Sequence, residues 1–184
     1  MSGRWRVERR GVPRRGKPWL VLRGAEHEAV LWSGAVLELV TSCHLPRLGP
    51  DILDEPPDFE TMLARLRTQP ERELGDALLD QRLVSGIGNL WKAEALWEAR
   101  VSPWRRVEET AEDEVLSVLE AAHRLMRTSV AGARPPRRVY RRTGRACPRC
   151  GGPIRSAPQG DNARTAYWCP QCQERQVGGG PLPS

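Results

Sequence analysis

At 184 residues the chain has room for one ordinary domain or two to three small ones, and its 39% hydrophobic content is ordinary for a soluble protein. No apolar run approaches the roughly 18 residues that span a bilayer, and the charged start Met1-Ser2-Gly3-Arg4-Trp5-Arg6 has no apolar stretch behind it; a cytoplasmic protein, neither membrane-bound nor exported, is expected. The net charge of +6 is unevenly spread, with eight basic residues against one acid between Arg4 and Arg23, seven arginines and no acid between Arg134 and Arg149, and most carboxylates between Asp51 and Glu120. Two basic ends around a carboxylate-bearing middle suit a polyanion that touches both, although a GC-rich genome could by itself favour arginine over lysine, which occurs only as Lys17 and Lys92.

In chain order, residues 4–40 read as short strands, with Trp19–Leu22, Glu28–Trp32 and Ala35–Val40 separated by Arg-Gly and Ser-Gly turns. So few strands with unpaired edges make a poor independent core. From Asp58, a plausible N-cap, Phe59, Met62, Leu63 and Leu66 recur at helical spacing until Pro70. A second helix is expected from about Leu74 to Arg82, a break at Ser85-Gly86-Ile87-Gly88-Asn89, and a third helix from Leu90 to about Ala99. Ser102-Pro103 then precedes a long amphipathic helix from about Glu112 to Arg127, buried along Val115, Leu119, Ala122 and Met126. Residues 131–142 read as a linker, 143–175 as a separate small module, and 176–184 as a disordered tail.

That module carries the sharpest signal, Cys147-x2-Cys150-x18-Cys169-x2-Cys172. Each pair brings two thiolates onto one tight knuckle, and two knuckles complete the tetrahedral sulfur site that zinc occupies structurally. One Zn2+ is expected, without an open position for chemistry. Between the pairs, residues 151–155 and 164–168 read as two strands joined by the Gln159-Gly160-Asp161-Asn162 turn, so a zinc-held β-hairpin is expected. Taken alone, such a ribbon serves either nucleic-acid binding or stability and protein contact. Cys43, the remaining cysteine, reads as a small buried apolar residue.

A second signal is the glycine turn before the third helix. Gly86 and Gly88 allow close approach of another surface, and Asn89 opens a helix whose free N–H groups favour a phosphate. The same residues also fit a plain helix hairpin with Asn89 as its cap. Taken together, Leu79–Glu94 with its Ser85-Gly86-Ile87-Gly88-Asn89 core, Val101-Ser102-Pro103, and Arg164–Gln173 around the second cysteine pair resemble the formamidopyrimidine-DNA glycosylase and endonuclease VIII family, most closely its actinobacterial endonuclease VIII-like branch. The resemblance covers residues 1 to about 173.

It implies an α+β fold: the remnant of an N-terminal antiparallel β-sandwich in residues 1–50, a helix-two-turn-helix domain in 51–130, and the C-terminal zinc β-hairpin ribbon. It also implies an enzyme that flips a damaged base out of duplex DNA, cleaves its glycosidic bond and nicks the strand at the abasic site. The expected partner is therefore duplex DNA with a lesion or abasic site, met by a monomer associated with the nucleoid. By position, Asn89 matches the family asparagine that donates to the phosphate beside the lesion, and Arg164 the hairpin arginine that clamps the same backbone. Lys92 and Arg82 are further candidates for backbone contact, and Met1 falls where a family methionine fills the gap left by the flipped base.

One departure concerns chemistry. The family nucleophile is an N-terminal proline amine followed by a glutamate, and an amine is required because the reaction passes through a Schiff base with the sugar. No proline–glutamate pair opens this sequence, so no catalytic residue is assigned. Three readings follow: a glycosylase and abasic-site lyase whose Met-Pro-Glu start lies upstream, a damaged-DNA-binding protein that keeps only the phosphate clamp, and a ribbon protein that binds RNA or protein.

Overall fold

The computed structural model describes residues 5–32, 48–161 and 163–173. The chain divides into two units, Met1–His44 and Leu45–Ser184.

In the first unit, β1 (Trp5–Arg9), β2 (Leu20–Arg23) and β3 (His27–Leu31) form an antiparallel sheet in the order β1-β3-β2. The register aligns Trp5, Leu31 and Leu20 in one row and Val7, Ala29 and Leu22 in another, so one face is apolar. Glu8 lies opposite Glu28, a pairing of like charges that the Arg14 guanidinium bridges, and Arg23 Nε adds a 3.0 Å bond to Glu28. The sequence does not single out β1, because two arginines and a glutamate mask its alternation of Trp5 and Val7. The strand expected over Ala35–Val40 lies outside the described residues, as do Met1, Cys43 and the tail.

The second unit is built on four helices. α1 (Phe59–Arg67) starts where Asp58 accepts the Thr61 N–H at 2.9 Å and buries Met62, Leu63 and Leu66 as expected. α2 (Leu74–Ala77) is one turn, shorter than the expected run to Arg82. The cause is Asp80, whose carboxylate accepts the Arg82 N–H at 3.0 Å and the guanidiniums of Arg72 and Arg82, holding the following residues in turns.

α3 (Asn89–Glu98) follows the glycine break, and α4 (Glu112–Val130) begins where the Glu114 carboxylate accepts the Ala111 N–H at 2.9 Å. Leu66, Leu74, Leu78, Val84, Leu96, Val115 and Leu119 are fully or almost fully enclosed in the core between them.

The hairpin consists of β4 (Arg155–Gln159) and β5 (Arg164–Trp168). β4 lies four residues later than expected because Gly151, Gly152 and Pro153 close the first knuckle instead of extending. Gly151 has φ +77°, and the Cys147 N–H donates to the Gly152 carbonyl at 2.8 Å. The α+β class with small antiparallel sheets is thus the observed one.

Candidate nucleic-acid interface and metal centre

The hairpin does not stand apart from the helices, because α3 runs between the helical core and the ribbon. Residues 92–97 are all buried. Ala95 and Leu96 enter the helical core, while Ala93 and Trp97 join Val139, Cys147, Ile154 and Cys169 in a second cluster. A helix apolar on both sides is packed between two layers.

Polar contacts follow the same axis from end to end. At its start Asn89 Nδ2 donates to the Thr165 carbonyl at 2.9 Å, one residue from Arg164, while Asn89 Oδ1 is buried with no partner. One turn on, Lys92 Nζ lies 3.3 Å from Gln159 Oε1, and Gln159 in turn donates to Glu73 at 3.0 Å and to the Pro103 carbonyl at 2.8 Å. Glu94, also buried, accepts the backbone N–H groups of Arg138, Val139 and Tyr140 at 2.8, 3.1 and 2.9 Å. At the far end the Trp97 indole donates to Cys147 Sγ at 3.4 Å, and Arg149 stacks 4.1 Å over the Trp97 ring while bonding the Trp97 and Glu98 carbonyls. Residues 138–140, expected within a linker, are therefore fastened to α3.

The two turn glycines serve different ends. Gly86 holds φ +93°, and a Cβ there would sit 3.0 Å from Asp51 Oδ1. At Gly88 a Cβ meets nothing within 4 Å, so the chain's own packing does not demand this glycine. It leaves open space beside the N–H groups that begin α3, which have no acceptor within the helix.

Asn89 and Arg164 are thus brought together, with Arg164 exposed at the start of β5. Lys92 is beneath them, only 1% exposed. Burial lowers its pKa to about 8, with Arg164 adding to the fall and Asp76 and Glu73 opposing it. Arg82 is elsewhere in its commitments: its exposed guanidinium is held by Asp80 at 2.9 and 2.7 Å. The Arg82 guanidinium first, and Arg72 with it, keep the Asp80 carboxyl well below the usual carboxylate range, although its partial burial opposes them. Met1 lies outside the described residues.

The four cysteine sulfurs lie within 4.8 Å of one another, with Cys147 to Cys172 at 3.8 Å and Cys150 to Cys169 at 3.4 Å. A tetrahedral ion with bonds of about 2.3 Å sets its sulfurs about 3.8 Å apart. The donor set and spacing therefore fit a four-coordinate thiophilic cation, and leave no position for a substrate. Burial raises the Cys147 thiol, but the N–H groups of Arg149 and Cys150 and the Trp97 indole overcome this and bring it down to about 6, whereas burial and the other three sulfurs push Cys172 up to about 12. A cation between the sulfurs removes that mutual opposition.

Sequence reasoning missed Glu94, Trp97 and Gln159 as organisers. The unbroken burial of α3 is foreshadowed by its Ala93-Glu94-Ala95-Leu96-Trp97 run, in which a lone carboxylate among apolar residues requires partners.

Residues 48–136 match the family model described as the formamidopyrimidine-DNA glycosylase H2TH domain. A Streptomyces coelicolor protein named "Probable endonuclease 8 2" is 37% identical over 193 residues, covering 94% of this chain and 69% of its own length. The Salmonella arizonae "Endonuclease 8" is 31% identical over 195 residues, covering 95% of this chain and 73% of its own. Among solved structures, the Lactococcus lactis formamido-pyrimidine DNA glycosylase, non-covalently bound to DNA containing an AP site, superposes with a TM-score of 0.80 at 23% identity, over 95% of this chain and 72% of that one.

Proposed function

Since the chain belongs to the formamidopyrimidine-DNA glycosylase and endonuclease VIII family, we propose that it grips duplex DNA at a lesion or abasic site through Asn89 and Arg164, with the zinc ribbon as one jaw and the α3 turn as the other. The observation that carries this reading is the 2.9 Å bond from Asn89 Nδ2 to the Thr165 carbonyl. It uses one amide hydrogen to fasten the hairpin and leaves the second free for a phosphate oxygen, beside the exposed Arg164 guanidinium. Fixed donors on the phosphates around an extruded nucleotide offset the few kcal/mol that unstacking costs.

Zinc is the ion we assign to the four cysteines, because a closed tetrahedral thiolate set suits it and its role there is to hold the hairpin's shape. Lys92 contributes positive charge beneath the pair, since its amine faces Gln159 and is enclosed. Arg82 we assign to fixing the Asp80 turn and, through its exposed edge, to a weaker backbone contact.

Base excision followed by nicking at the abasic site is the reaction we assign to this grip. Two measurements test the reading. Asn89→Ala and Arg164→Ala are each expected to weaken binding to an abasic-site duplex, and Arg164→Ala, which removes a cation, to lower the slope of log affinity against log salt by about 0.9. Unchanged affinity in Asn89→Ala or an unchanged slope in Arg164→Ala would contradict the clamp. Borohydride reduction on abasic-site DNA separates an enzyme from a binder: a covalent adduct supports Schiff-base chemistry, while tight binding with no adduct supports a protein that grips damage without processing it.

A further inference from the structure

We propose that Arg137 and Arg141, both set against the Tyr140 ring, form a second phosphate-binding station on the ribbon that holds the DNA flank a few nucleotides from the Asn89–Arg164 grip. The proposal rests on the DNA reading above and extends it beyond the lesion. Its first basis is charge. From Ala121 to Gly160 the sequence holds ten arginines and no carboxylate. Several of those arginines are already committed: Arg124 pairs with Glu98, Arg127 with Glu55, and Arg149 caps α3. Arg137 and Arg141 have no carboxylate partner among the described residues, and both are exposed.

Geometry supplies the second basis. The guanidinium carbons of Arg137 and Arg141 sit 5.7 and 5.5 Å from the Tyr140 ring centroid. Stacking on the ring face leaves the N–H edges of both guanidiniums free, in the planar arrangement that matches phosphate oxygens. The ring itself is fixed: its backbone N–H is held by Glu94 at 2.9 Å, and its edge meets Tyr167 with centroids 5.2 Å apart. Arg141 adopts φ +55°, a left-handed conformation that a long side chain rarely takes, and Arg142 donates to the Arg137 carbonyl. That conformation is retained where the surroundings enforce it.

Position then sets the register. Tyr167 lies two residues along β5 from Thr165, which Asn89 holds, a step of about 7 Å at about 3.3 Å per residue. The Tyr140 ring, 5.2 Å from the Tyr167 ring, and the arginines against it therefore lie on the order of 10 Å from the grip. One strand of B-DNA advances about 3.4 Å per nucleotide along the helix axis, so the station falls within about four nucleotides of the grip. A contact at that remove reads no lesion; it adds affinity and fixes the direction of the duplex across the ribbon.

The test uses the zinc-loaded full chain and an abasic-site duplex, with affinity measured against KCl concentration. Arg137→Ala/Arg141→Ala is expected to lower the log–log slope by about one to two units, with the ratio of abasic to intact duplex affinity unchanged. Arg137→Lys/Arg141→Lys should restore most of the slope. Trimming the duplex to two base pairs on the ribbon side should erase the difference between wild type and the alanine pair. An unchanged slope in the alanine pair, with zinc content and circular dichroism intact, overturns the proposal while leaving the Asn89–Arg164 reading in place. Absence of DNA binding by the wild type overturns both.

Discussion

A lysine held inside a protein must be explained by what its charge costs and what its position gives. Lys92 is enclosed beside Gln159, and its pKa falls to about 8 from 10.5 chiefly through burial. Below pH 8 the amine is charged in both folded and unfolded chains, and the penalty is felt in full. Between about 8 and 10.5 the unfolded chain holds the proton that the folded chain has released, so stability contributed by this group rises with pH, and above 10.5 the penalty is gone. Lys92→Met should therefore stabilise the protein at pH 7 by up to about 3 kcal/mol, less about 1 kcal/mol for the Gln159 acceptor left unpaired. The gain should shrink toward pH 10.5. Urea unfolding of both proteins across pH 6.5–10.5 checks this through their difference, which cancels contributions common to the two. A gain independent of pH would mean that packing, and not charge, separates the two. If the methionine variant also loses DNA affinity, the lysine was retained for the field it adds beneath Arg164.

At the scale of elements, α3 ties the clamp to the metal. Its first residue holds β5, its middle holds residues 138–140 through Glu94, and its last turn receives Cys147 and Arg149. Cys169→Ser should release the metal and melt the hairpin, because thiolate binding and folding of so small a module are one equilibrium. Hydrogen exchange should show β4 and β5 unprotected and α3 less protected than in the wild type, with α1 and α4 unchanged. Full protection of the hairpin in the variant would refute the coupling.

The cysteine spacing and the helical periodicity of α1 and α4 were legible in the sequence because each is local: a knuckle and an amphipathic stripe are written within a few residues. The contacts that make the site were not. Asn89 and Thr165, or Glu94 and Tyr140, lie far apart in the chain, and nothing in the spacing says that α3 is packed on both sides. The short α2 shows a different limit, since its helical pattern runs on while the Asp80 carboxylate offers the backbone a competing partner.

For the whole molecule, the division into two units has a consequence for what each supplies. Every metal ligand, both clamp residues, the arginine pair and all of the helical core belong to Leu45–Ser184, and the Met1–His44 unit carries a small sheet with Trp5, Val7 and Leu22 exposed on its apolar face. Three strands with such a face add little independent stability. A fragment of residues 45–184 is therefore expected to fold, to bind one zinc ion, and to keep the affinity loss of Asn89→Ala and the slope decrement of Arg164→Ala. Its total salt slope should fall by as much as the basic residues between Arg4 and Arg23 contribute in the full chain. Its preference for abasic over intact duplex should also drop if Met1 fills the gap left by the extruded base. Metal content, urea unfolding and DNA titration of the fragment give three separate readings. A fragment that fails to fold would show that the sheet contributes to the stability of the second unit. One that folds yet binds abasic and intact duplex with the full chain's ratio would remove Met1 from the recognition of damage.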